Sequence, residues 1–179
     1  MKKIWIILTS FLVLIALIIL GAKRFTGFNK NTSVEHSSAQ LTEKSSKNNK
    51  ANLHQQGKAI NITIADQKIS AHLYKNVTAK DLIQRLPITL SFSNFGSGFD
   101  EKIGDLSSKL TTQGMPTGED PKVGDIGYWS PEPRSVFYWG DVGYYSGIHR
   151  IGHFDDVSKA TQLIKQQKNT FKATIELAN

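Results

Sequence analysis

Apolar and polar residues alternate with period two along much of the chain beyond residue 58, which is typical of half-buried β-strands. Residues 59–65 and 69–74 show this alternation, and Asp66-Gln67 between them predicts the turn of a hairpin. Further strands are predicted at residues 88–95, 126–129, 135–139, 146–154 and 171–177. The pattern therefore predicts about eight strands in a mainly β domain.

Two short helices are predicted among these strands. Thr78, with Asp81 three residues later, is close to a capping box and predicts a helix that ends near Leu86, before Pro87. Asp155 is the predicted N-cap of a second helix. Because strands and helices do not alternate regularly, we expect antiparallel strands that close into a small barrel, with the helices at its ends.

The N-terminal third follows different patterns. Residues 4–21 are apolar except for Thr9 and Ser10, and as a helix they would span roughly 27 Å, close to the thickness of a bilayer core. Residues 26–57 are rich in Ser, Asn, Lys and Gln without periodicity, as in disordered segments. We therefore predict a membrane anchor or signal segment at 1–25, a disordered polar linker at 26–57 and the barrel domain at 58–179.

The lipid bilayer is the partner predicted for residues 4–21. This run is longer than a signal-peptide core, and Leu20-Gly21-Ala22 is a poor cleavage site, which favours an uncleaved transmembrane helix. The protein would then be a single-pass protein of the cell membrane with its domain outside. Secretion after cleavage of the segment is the alternative, and basic residues on both flanks leave the orientation open.

The net charge of +7 belongs to the N-terminal part of the chain. Residues 1–57 carry eight Lys and Arg against two acidic residues, whereas residues 58–179 carry fourteen against thirteen. A nucleic-acid-binding domain would carry its basic surface on the folded part. We therefore expect no nucleic-acid partner.

Cofactor and metal chemistry find little support in the sequence. There is no cysteine, which excludes disulfides, thiol catalysis and cysteine zinc sites. No phosphate-binding loop or dinucleotide glycine motif is present. His149 and His153 lie four residues apart, too far along one strand to bind a single ion. We predict neither a cofactor nor a metal site.

The stretch from Val136 to Ile151 carries the candidate binding chemistry. Aromatic rings flank a Gly-Asp-Val-Gly turn, and a His-Arg pair follows. The rings could bind an extended peptide or a small ligand, while an arginine could donate to a peptide carbonyl. The candidate ligand-binding residues are Tyr138, Trp139, Tyr144, Tyr145 and Arg150.

A purely structural interpretation of the same stretch stays open. In it, Val136, Tyr138 and Ile148 point into the barrel and the aromatic residues act only as strand formers. The two interpretations differ in one geometric condition. A binding or catalytic role requires Arg150 and at least two aromatic rings to open into one groove.

Several motifs occur in an order that resembles the bacterial cyclophilin-like domain family. They are Thr78-Ala-Lys-Asp-Leu, Leu86-Pro followed by Thr-Leu-Ser-Phe, Glu101-Lys-Ile-Gly, Asp120-Pro-Lys-Val-Gly-Asp and Gly140-Asp-Val-Gly-Tyr-Tyr-Ser-Gly. The resemblance covers residues 60–154. It implies an eight-stranded cyclophilin-like barrel capped by helices, and it implies no established reaction.

Three functions are consistent with this resemblance. The first is a membrane-tethered, extracytoplasmic domain that binds a peptide or small ligand without strong catalysis. The second is a divergent peptidyl-prolyl isomerase, in which Arg150 would be the catalytic residue. The stretch Ile148-His-Arg-Ile of this chain looks like the strand that carries the catalytic arginine in true cyclophilins, but it lies near the end of the domain. The third is a structural module of the cell envelope without a ligand.

Overall fold

The structure is a computed structural model that describes residues 53–179. This part of the chain folds into ten strands and two helices. In chain order they are β1 (Gln56–Ile64), β2 (Gln67–Tyr74), α1 (Val77–Ile83), β3 (Ile88–Asn94), β4 (Glu101–Asp105), β5 (Gly118–Glu119), β6 (Asp125–Trp129), β7 (Arg134–Tyr138), β8 (Tyr145–Ser146), β9 (Ile148–Phe154), α2 (Val157–Gln166) and β10 (Phe171–Leu177).

Eight of these strands close into a barrel in the order β1-β10-β3-β4-β7-β6-β9-β2, and every neighbouring pair is antiparallel. The short strands β5 and β8 form a separate two-stranded sheet. The prediction of a mainly β fold with a closed eight-stranded barrel and two helices is confirmed. Within residues 53–179, neither helix is long and apolar enough to span a bilayer. The predicted anchor at 4–21 lies outside the described residues.

The barrel interior is filled by aliphatic and aromatic side chains from its strands. The rings of Phe92 and Phe137 stack with centroids 4.2 Å apart, and Phe154 meets Phe137 edge-on at 5.4 Å. Helix α2 covers one part of this core with Ala160, Leu163 and Ile164, all buried. Such close packing of large apolar side chains is the main source of stability for the domain.

The side chains of β7 face opposite directions from those expected in the purely structural interpretation. Phe137 belongs to the barrel interior, so its neighbours Val136 and Tyr138 point outward. There they form a second apolar cluster with Ile148. The prediction that Val136, Tyr138 and Ile148 point into the barrel is therefore wrong. The cause is the stacking of Phe137 on Phe92, which fixes which face of β7 is buried.

Helix α1 begins two residues earlier than predicted. Its N-cap is Asn76, whose Oδ1 accepts from the backbone N–H of Ala79 at 2.9 Å. Thr78 is buried and its hydroxyl donates to the carbonyl oxygen of Thr111 at 2.8 Å. Asp81 accepts from Thr111 N at 2.8 Å, so it ties the helix to a loop and does not complete a capping box.

Two further boundaries differ by a few residues. The N-cap of α2 is Asp156, whereas Asp155 lies 2.8 Å from His72 Nδ1. The folded part also starts before the predicted boundary at Lys58, because β1 begins at Gln56. The carbonyl oxygen of Leu53 already accepts from Asn76 Nδ2 at 3.0 Å.

Candidate ligand-binding pocket

The second apolar cluster forms the floor of a pocket on the outer face of the barrel. The floor side chains come from β4, β6, β7 and β9, and the walls come from the loops that follow β3 and β7. The cavity has a volume of about 200 Å³. It is lined by Phe95, Phe99, Glu101, Ile103, Trp129, Arg134, Val136, Tyr138, Val142, Tyr145 and Ile148.

Local backbone contacts shape this pocket. The carbonyl oxygen of Asp100 accepts from Trp139 N at 2.9 Å and from Gly140 N at 3.2 Å, which joins the two wall loops. Gly127 on β6 leaves room for the Tyr138 ring, because a Cβ at position 127 would lie 2.6 Å from Tyr138 Cε2. The pocket therefore depends on a glycine that does not line it.

The rim of the pocket carries exposed aromatic rings. The exposed fractions are 46 % for Phe95, 38 % for Phe99 and 48 % for Tyr145, and Tyr144 beside them reaches 60 %. Phe95 and Phe99 meet edge-on with centroids 5.1 Å apart. Clustered exposed apolar surface of this kind marks ligand or protein contacts more often than isolated exposed side chains do.

Two charged residues line the pocket in different states. The Arg134 guanidinium lies 2.9 Å from Asp105 Oδ1 and also pairs with Glu132, so its charge is compensated. Glu101 has no ion pair with any residue of the 53–179 part. Burial raises the pKa of the Glu101 carboxyl above its usual 4.5.

Tyr138 lies directly opposite Glu101 in the β4–β7 pairing. Burial raises the pKa of the Tyr138 phenol well above its usual value, and the nearby Glu101 charge adds to the rise. The phenol therefore keeps its proton at neutral pH. It is available as a neutral hydrogen-bond donor next to the carboxylate.

The structure separates the five predicted binding residues. Tyr138 and Tyr145 line the pocket. Trp139 packs against the barrel core, with Lys165 Nζ 5.0 Å from the centre of its ring. Tyr144 is exposed beside the pocket without lining it. That these residues bind a ligand stays a prediction.

Arg150, the fifth residue, lies at a buried carboxylate and not in the pocket. Its Nε lies 2.5 Å from Asp125 Oδ2 and its Nη2 lies 3.2 Å from Oδ1. Asp125 also accepts from Tyr74 Oη at 3.3 Å, and His153 Nδ1 lies 2.9 Å from it. The condition that Arg150 and two aromatic rings open into one groove is not met, so the binding and catalytic roles expected around Arg150 lose this support. The pocket is a separate candidate site that does not use Arg150.

Sequence reasoning missed most of the pocket lining. Phe95 and Trp129 fall in predicted strands and Glu101 falls in a family motif, whereas the sequence gives no prediction for Arg134. The available signal was the spacing of Phe95 and Phe99 around Gly-Ser-Gly, which places two apolar rings on a loop. Between residues 53 and 179 no group of three or more His, Asp or Glu side chains could hold an ion.

Comparison with known proteins places the chain in a family. A sequence model described as the cyclophilin-like family matches residues 62–176. The chain belongs to the cyclophilin-like family. Its fold is similar to the solution structure of a hypothetical protein from Archaeoglobus fulgidus, with a TM-score of 0.52 and 16 % identity over 70 % of this chain and 98 % of that one. No curated protein matches the chain.

The cyclophilin-like motifs have visible roles in the structure. In the 120–125 motif, Lys122 N donates to Asp125 Oδ2 at 2.7 Å and Asp125 N donates back to Lys122 O at 2.9 Å, which forms the turn that positions the buried carboxylate. The 140–147 motif supplies Val142 and Tyr145 to the pocket wall. The motifs that carried the resemblance therefore shape one buried network and one open pocket.

Proposed function

We propose that the protein is a membrane-tethered, extracytoplasmic binding module whose cyclophilin-like domain takes an apolar group of a peptide or small molecule. The pocket between β4, β6, β7 and β9 receives this group. One observation carries the proposal. A ready-formed apolar cavity of about 200 Å³ opens under a rim of exposed aromatic rings.

The size of the cavity limits what it binds. Sites for drug-sized ligands have volumes of about 300–1,000 Å³, so this cavity takes a single side chain or a fragment of similar size. Tyr and Trp in its lining bury large areas at low entropic cost and keep a polar atom for orientation. The exposed rings of Phe95 and Phe99 extend the contact beyond the cavity.

The residues of the pocket favour binding over catalysis. Besides Arg134, its polar lining residues are Glu101, Tyr138 and Tyr145, and it contains no nucleophile–base pair such as Ser–His or Cys–His. Arg134 is held by two carboxylates, and Arg150 is held by Asp125 outside the pocket. The titratable groups that remain, Glu101 and the two tyrosines, are suited to orienting a ligand.

The membrane attachment rests on the apolar run at residues 4–21 and the polar linker that follows. Cell fractionation with an alkaline wash tests it, because an inserted helix stays in the membrane pellet. Protease added to intact cells then reports the side, and digestion of the domain is expected. Recovery of the protein in the wash or its protection from protease contradicts this assignment.

Ligand binding is tested by NMR on the isotope-labelled full chain in neutral detergent micelles. A library of small fragments and short blocked peptides is expected to shift the signals of Val136, Tyr138 and Ile148 together. Val142→Trp, which fills the wall of the cavity, should abolish these shifts. Val123→Trp is the matched control, because Val123 is exposed and does not line the pocket. Scattered shifts, or the same shifts in the Val142 variant, contradict the proposal.

A further inference from the structure

Glu101 differs from Asp125, Glu119 and Asp81, which are also buried or partly buried carboxylates. Asp125 is paired with Arg150, Glu119 lies 2.6 Å from His54 Nε2 and accepts from Arg150 N, and Asp81 is paired with Arg85. Glu101 lies in the apolar pocket without any such partner among residues 53–179. Among residues 53–179, Glu101 is therefore a partly buried carboxylate that lines an apolar pocket without a compensating charge.

An unpaired carboxylate in apolar surroundings reduces the stability of a fold. Transfer of a charge out of water is unfavourable unless a partner compensates it. An apolar or amide side chain would fit this place better if it served packing alone. Groups of this kind concentrate at binding and catalytic sites, where a ligand supplies the missing partner.

We propose that the pocket binds a basic side chain, Lys or Arg, of an extended peptide segment, with its charged end paired to Glu101. This inference rests on the proposed binding function and specifies its ligand. The aliphatic stem of the side chain lies against Val136 and Ile148 on the floor, as basic side chains commonly pack their methylene groups on apolar surface.

The lining suits a cation for two more reasons. Trp129, Tyr138 and Tyr145 line the cavity, and the faces of aromatic rings attract a positive charge. Arg134, the pocket's own cation, is neutralised by Asp105 and Glu132 and so repels a second cation only weakly. The uncompensated charge of the pocket is thus negative.

The rim favours a peptide over a free amine. Phe95, Phe99 and Tyr144 remain exposed around the opening, where the neighbours of a basic residue in an extended chain would lie. A small amine that fits inside about 200 Å³ would leave these rings uncovered. An extended peptide places alternate side chains in pockets and on rims in this way.

The test compares three blocked peptides that differ only in the central residue, which is lysine, norleucine or glutamate. Binding to the full chain in neutral detergent micelles is followed by NMR shifts at Val136 and Ile148. The lysine peptide is expected to bind about tenfold more tightly than the norleucine peptide, as for one charge-assisted hydrogen bond. The glutamate peptide is expected to bind more weakly than either.

Glu101→Gln should remove the preference for lysine, so that the variant binds the lysine and norleucine peptides with equal affinity. Glu176→Gln is the matched control, because Glu176 lies on the surface of β10 beside Lys68. The unfolding midpoint of Glu101→Gln should equal or exceed that of the wild type, which separates lost recognition from lost folding. A large loss of stability, or a preserved lysine preference, overturns the inference.

The outcomes separate this inference from the function it rests on. Equal affinity of the wild type for the lysine and norleucine peptides overturns the role of Glu101 and leaves the binding function standing. If no peptide and no fragment binds, both the role of Glu101 and the binding function are overturned. Binding of butylamine as tightly as the lysine peptide overturns the peptide assignment. The chain's own linker is tested by replacing Lys30, Lys44, Lys47 and Lys50 with Gln. If this replacement shifts the NMR signals of the pocket without added peptide, the ligand is the linker and the assignment of a separate peptide is overturned.

Discussion

Asp125 is fully buried and joins three parts of the barrel through one side chain. Its carboxylate accepts hydrogen bonds from Arg150 on β9, from Tyr74 on β2 and from the backbone N–H of Lys122. It also lies beside His153 on β9. Burial opposes its ionisation, but hydrogen bonds from His153 and Arg150 outweigh burial and lower the pKa of Asp125 below 3.8. This carboxylate therefore stabilises the fold in its charged form.

Asp125→Asn should lower the free energy of unfolding by about 3 kcal/mol at neutral pH, because it leaves Arg150 partly buried without its counter-charge. The pKa of Asp125 is lower in the folded state, so its contribution is present above the unfolded-state value and is lost as the pH falls below 3.8. Urea unfolding of both proteins over this pH range measures the difference. A difference that stays constant into strong acid would contradict this role.

The pairing of Asp125 with Arg150 could not be predicted from the sequence. Arg150 was expected at a ligand because it follows an aromatic cluster, and Asp125 was noticed only as part of a motif. The register between β6 and β9, which shifts between Ile126 and Gly127, brings the two side chains together. A register shift of this kind follows from packing on both sides of a strand and leaves no local trace.

At the scale of elements, alternation predicted seven of the eight barrel strands and missed β4, and it predicted their buried faces less well. Residues 171–177 form β10 as expected, and the first hairpin turns at Ala65-Asp66, one residue before the predicted turn. In β7, however, Val136, Phe137 and Tyr138 are all apolar, so period two gives no sign of which face is buried. This ambiguity also hid the pocket, because the outward face of β7 forms its floor.

Gly127→Ala should damage the pocket through Tyr138, although residue 127 does not line it. The new Cβ would lie 2.6 Å from Tyr138 Cε2 and 3.1 Å from its oxygen, so the ring must move. Overpacking of this kind lowers stability by about 1–3 kcal/mol. We expect that loss in urea unfolding, together with at least a severalfold loss of affinity for any ligand found by the NMR screen.

Gly96→Ala is the control for this change. A Cβ at Gly96 would have its nearest neighbour at 4.0 Å, on the Phe99 ring, and the residue lies on a loop beside the pocket. Stability and ligand affinity should both stay near the wild-type values. Equal effects of the two substitutions would show that the Tyr138 ring is not held by the space at Gly127.

At the scale of the whole molecule, barrel closure separates the chain's entry from its pocket. β1 pairs with β2 and β10, and β7 lies four strands away from β1 in the closed order. The pocket floor is centred on β7, so it faces away from the side where the chain enters the barrel. The N-terminal end of β1 and the pocket floor therefore lie on different sides of the barrel wall.

The same closure predicts how the domain depends on the residues before it. Leu53 O accepts from Asn76 Nδ2, Gln55 O accepts from Lys75 N at 2.9 Å, and His54 pairs with the mostly buried Glu119. A fragment that starts at residue 58 loses these contacts and leaves Glu119 without its histidine. Because the barrel is closed and both apolar clusters lie within residues 60–175, the fragment should still fold.

We therefore expect the fragment 58–179 to be about 3 kcal/mol less stable than 53–179, at about 1 kcal/mol for each lost hydrogen bond. Urea unfolding of the two purified fragments measures this difference. His54→Ala in the longer fragment separates the Glu119 contact from the backbone contacts and should account for about one third of the loss. Equal midpoints for the two fragments would mean that the barrel holds its first strand without residues 53–57, and that the domain begins at the boundary expected from composition.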